Sequence, residues 1–63
     1  MTKITEITKS DLGRRVSEKP AGAVERTYGT VEGISYLKDR FFFKPDGATR
    51  AHNTHISFFR WED

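Results

Sequence analysis

The residues with the clearest capacity for chemistry are His52 and His55, with Asp46 and Asn53 close by in sequence. A spacing of three puts two side chains on one face only in a helix, and the chain has no cysteine to add a thiolate. The pair therefore reads as loop histidines, with no metal or cofactor implied. His55 with Asp39 or Asp46 could act as a general base, and a serine lies in each neighbourhood. No nucleophile elbow accompanies them, and so small a domain offers no deep pocket. Gly29 and Gly33 match no phosphate-cradling motif and read as bends. The chain is expected not to be an enzyme.

Basic and aromatic residues carry more. Arg14, Arg15, Lys19, Arg26, Lys38, Arg40, Lys44, Arg50 and Arg60 are spread along the whole chain, interleaved with acidic residues. Arg14, Arg15, Lys38, Arg40 and Lys44 together with Tyr28 could form a stacking-and-phosphate surface for RNA or DNA. Glu18, Glu25, Glu32, Asp39 and Asp46 occur on the same stretches and weigh against it. All five phenylalanines fall in two clusters, Phe41 to Phe43 and Phe58 to Phe59, with Trp61 nearby. If Phe41, Phe43, Phe59 and Trp61 fill a core, Phe42 and Phe58 are left near solvent, as interface anchors are. With Tyr36 and Arg40 they form the expected protein-contact set.

Composition narrows the setting. The 63 residues make one domain with a formal charge of +2, from eleven Lys and Arg against nine Asp and Glu. At this size roughly 60% of the unfolded chain's surface is buried on folding, so stability is a few kcal/mol. Lack of cysteine favours a reducing compartment, and a cytoplasmic protein is expected. No apolar run spans a bilayer, and MTKITEITKSD has no apolar core of a signal peptide.

These side chains need elements to position them. Residues 1–8 read as an extended arm with Ile4 and Ile7 as apolar anchors, and KSDLG as a turn. Leu12, Arg14, Val16 and Glu18 share one side of a short strand that Pro20 ends. Residues 24–36 are the longest β-prone run, with Gly29 and Gly33 at bulges or bends. LKDR links it to Arg40–Lys44, where burial of Phe41 and Phe43 leaves Phe42 outside. Pro45-Asp46-Gly47 is a tight turn. Ala48 to His52 reads as a short edge strand, open to pairing with a partner strand or another copy. Asn53-Thr54-His55 should break it and nucleate a helical turn through Ile56 to Phe59. Residues 60–63 close the structure as a last strand. No window has helical periodicity, so the expectation is an all-β, five-stranded barrel with a short 3-10 turn before its last strand.

DLGRRV, YGTVEGI, DRFFFKPDG and HISFFRWED follow one another in an order that resembles the small SH3-like barrel proteins of bacteriophages and prophages. The likeness covers residues 7–63. It departs from that pattern at Pro45, where an apolar residue is usual, and at Ser57-Phe58-Phe59, where a more polar turn is usual. Such barrels look like KOW and Tudor domains in architecture, a fold that hosts unrelated tasks. The resemblance implies a small phage or prophage accessory protein, in the host cytoplasm, that docks on a larger protein. The chain is expected to be a monomer or weak homo-oligomer without membrane contact, with an RNA- or DNA-binding module as the alternative.

Overall fold

The computed structural model describes residues 2–63. Five strands, β1 (Arg15–Glu18), β2 (Thr27–Ile34), β3 (Arg40–Pro45), β4 (His52–His55) and β5 (Phe59–Trp61), form one antiparallel sheet. Two single-turn 3-10 helices, η1 (Lys9–Asp11) and η2 (Ile56–Phe58), complete it. The strand order is β4-β3-β2-β1-β5. β4 and β5 do not pair; η2 joins them, and the sheet stays open along that seam. The fold is thus all-β, as expected, with the 3-10 turn just before the last strand. Among the described residues no helix is long and apolar enough to cross a membrane.

Alternation along β3 decides the core. Phe41 and Phe43 are fully buried while Phe42 faces outward, because neighbouring strand side chains leave by opposite faces. Phe59 stands edge-on to both, with ring centroids 4.8 Å away in each case. Ile4, Ile7, Val16, Val31 and Ile56 close the cluster, and Ile34 and Trp61 pack against it half-buried. The arm belongs to this core, since Ile4 is 1% exposed. Its backbone also runs along the outer edge of β5: Ile4 N–H donates to Phe59 O, and Trp61 N–H to Thr2 O.

A Cβ at Gly29 would run into the Lys44 carbonyl and the Phe43 ring, so the close approach of β2 to β3 requires glycine there. β2 shifts register between Val31 and Gly33, the bulge anticipated at that glycine. Gly47, at φ +82°, turns the chain from β3, and Ala48 N–H closes that turn on Pro45 O.

Three boundaries differ from expectation. The edge strand is His52–His55, not Ala48–His52, and Asn53-Thr54-His55 continue it instead of breaking it. Of its residues only Thr54 favours a strand; the segment extends because Phe41 and Phe43 of β3 offer Thr54 and His52 a ladder. The closing strand starts one residue earlier, at Phe59, and ends at Trp61. Leu12 lies outside β1 in the turn after η1 and is 51% exposed, so it does not share a buried side with Val16.

Candidate contact surface

The register assigns side chains to the outer face of the sheet. From one edge to the other, β4 contributes Asn53 and His55, β3 contributes Arg40, Phe42 and Lys44, and β2 contributes Tyr28 and Thr30. β1 contributes Arg15 and Ser17, and β5 contributes Arg60. Arg40 and Phe42 of the protein-contact set therefore come together, across from His55 and Asn53. Tyr36 projects from the β2–β3 link beside Leu37, 94% exposed. Phe58 sits on η2, exposed, its carbonyl accepting from the Lys19 N–H near the end of β1.

Of the nucleic-acid set, Arg15, Arg40, Lys44 and Tyr28 share the outer face, while Arg14 and Lys38 lie off it. Arg14 lies with its guanidinium carbon 3.8 Å from the Trp61 ring centroid, held by both oxygens of Asp63 at 2.8 Å and by Asp11 at 2.9 Å. Arg15 makes a two-point pair with Asp46, at 2.6 and 2.8 Å. Lys38 is exposed in the link, Lys44 half-buried on β3, and Tyr28 exposed on β2. The hydrogen bonds that Arg14 donates to Asp63 and then to Asp11 raise its pKa, and the Asp63 carboxyl is lowered in turn by Arg14. Partial burial pushes Asp11 upward, but the Thr8 N–H and Arg14 outweigh it and hold its carboxyl low. Asp46 is lowered by the hydrogen bond from Arg15.

Sequence reading missed a polar cluster on the outer face. Ser17 is completely buried, its hydroxyl donating to Glu62 Oε2 at 2.5 Å and accepting from Arg26 Nε at 2.7 Å. Arg60 Nε reaches the same Glu62 oxygen at 2.6 Å, and Arg26 also donates to the Ser17 carbonyl. The hydrogen bond from Ser17, then that from Arg60, lowers the Glu62 carboxyl. Alternation could have placed Ser17 opposite Val16. Glu62, 45 positions away, carried no local signal.

His52 and His55 leave β4 by opposite faces, so they cannot share a ligand: His52 stands edge-on to Phe43 while His55 lies opposite Arg40. His55 does meet Asp39, Nε2 to Oδ2 at 2.9 Å, and its Nδ1 is 2.8 Å from Ser57 Oγ. The alignment is that of a proton relay. However, Nδ1 also accepts the Ser57 backbone N–H at 3.1 Å as the N-cap of η2, so that lone pair is engaged in holding the turn. A groove of about 480 Å³ beside Asp39 is lined by arm residues Thr5 to Thr8 with Lys38 and Ile56. Ser57 does not line that groove. Among the described residues no three His, Asp or Glu side chains are grouped to hold a metal ion.

Compared with known proteins, the chain matches no family model, no curated protein and no solved structure.

Proposed function

We propose that the chain is a non-enzymatic binding module that docks on a larger protein through the outer face of β3 and the links around it. The observation that carries this reading is the contrast between exposed rings and paired charges. Phe42 is 38% exposed between two buried phenylalanines, and Tyr36, Leu37 and Phe58 are exposed as well. Meanwhile Arg14, Arg15 and Arg60 already have carboxylate partners within the chain. Binding to RNA or DNA grows with the phosphate charge a protein neutralises, and internal pairing removes three cations from that role. Exposed aromatics beside an arginine are the usual anchors of protein interfaces.

The strand order, with β1 between β2 and β5 and a one-turn helix before β5, supports an SH3-like barrel whose seam η2 bridges. With the resemblance of its motifs, we place the chain among small phage or prophage accessory proteins acting on a host or phage protein.

Phe42→Ala is the test. The variant should keep the cooperative melting of the parent and lose capture of the partner isolated from the native cell. A melted variant would show Phe42 to be part of the core and sink the reading. Binding of a generic oligonucleotide that weakens steeply between about 50 and 200 mM salt would favour the nucleic-acid reading instead.

A further inference from the structure

We propose that the open edge of β4 takes up an extended acidic segment of the partner as an added strand, a proposal that rests on the docking reading above. Ile56 N–H donates to Asp39 O, which makes Arg40 and His55 a pair without mutual hydrogen bonds. Ladder bonds to β3 then run through Thr54 and His52. The N–H and C=O of Asn53 and the N–H of His55 point away from the sheet with no backbone partner among the described residues, while the His55 carbonyl, at the N-cap of η2, faces the first turn of that helix. β4 carries no lysine or proline to discourage pairing, and no bulge separates it from β3.

Charge selects the occupant. Arg40 donates through Nε to Asn53 Oδ1 at 2.7 Å, which draws its guanidinium across β4 toward the edge. Its two terminal nitrogens have no partner, and that fork matches a carboxylate. Lys38, Lys44 and Arg50, just before β4, also have no carboxylate partner among the described residues. On this side the Asp46 charge is met by Arg15, while Asp39, hydrogen-bonded to His55, Glu32 at the β2 bulge and Glu6, which lines the groove with Lys38, are the opposing charges to these four cations. A strand laid on β4 would gain main-chain bonds from Asn53 and His55 and set a carboxylate against Arg40.

The probe is a blocked eight-residue peptide alternating Glu and Val, titrated into isotope-labelled protein, with amide exchange read by NMR. Exchange at Asn53 and His55 should slow at least about tenfold, and Arg40→Gln should weaken binding about tenfold, the usual effect of losing a hydrogen bond to a charged group. The same peptide N-methylated at every amide, and a Lys-Val version, should do neither. Unprotected Asn53 and His55 at millimolar peptide, or equal binding of the methylated form, overturns the proposal. So does protection produced by a thymidine oligomer, or by raising protein concentration alone, which would assign the edge to nucleic acid or to a second copy. Partner capture that depends on Phe42 while these two amides stay unprotected would sink strand addition and leave the docking reading standing.

Discussion

The two edges of the sheet are finished in opposite ways. Along β5 the arm adds its own backbone, with Lys3 bridging Arg60, and Ile4 anchors it in the core. Charges there are also closed on themselves, Arg14 with Asp11 and Asp63, Arg60 with Glu62. Along β4 no backbone among the described residues covers the edge, and Lys38, Arg40, Lys44 and Arg50 make no ion pair there. An unpaired row of N–H and C=O groups is where a sheet can grow. One edge of this molecule therefore serves stability, and the other remains available to a partner.

Breaking the β5 side should have the largest effect. Ile4→Ala removes a fully buried side chain, which costs about 2–5 kcal/mol in a core. That is comparable to the whole stability of a domain this small, so urea or thermal melting should find the variant largely unfolded. A variant that melts like the parent would show the arm to be an ornament on β5. Next comes Ser17→Ala, which leaves Arg26 and Glu62 without their shared hydroxyl and should cost about 1–3 kcal/mol in the same assays.

Acid titrates mainly the β5 side, through Asp11, Glu62 and Asp63, with Asp46 added from the turn after β3. Asp11, Asp46, Glu62 and Asp63 all have lowered folded pKa values. Their contribution is complete above the ordinary values, 3.8 for the aspartates and 4.5 for Glu62, and is lost as pH falls through the lower folded ones. Trp61 fluorescence under Arg14 should report this loss, and stability that rises below pH 4 would contradict it. The smallest effect belongs to β4: His52→Thr should change stability by no more than about 0.5 kcal/mol, the usual range for surface sites. In native hydrogen exchange, Ile4 and Trp61 should be protected and Asn53 and His55 should not.

Much of this was readable along the chain, for a physical reason. Strand side chains alternate with period two, so a run of three phenylalanines must split, and burial area selects the pair that goes inside. Asp-Gly after Pro45 needs only local backbone preference to turn. Composition and spacing also suffice to expect an all-β chain with an anchored arm. β4 is hard to place from sequence because in His-Asn-Thr-His only the threonine favours a strand; β3 imposes the conformation. The ion pairs were equally hidden. Arg14 finds Asp63 at a separation of 49 residues and Arg15 finds Asp46 at 31. No local pattern encodes which charges the folded sheet brings together. The sequence by itself determined which way each side chain of β3 faces. Only the tertiary structure decided which arginines are neutralised and which edge is left uncovered, because both depend on strands meeting across the chain.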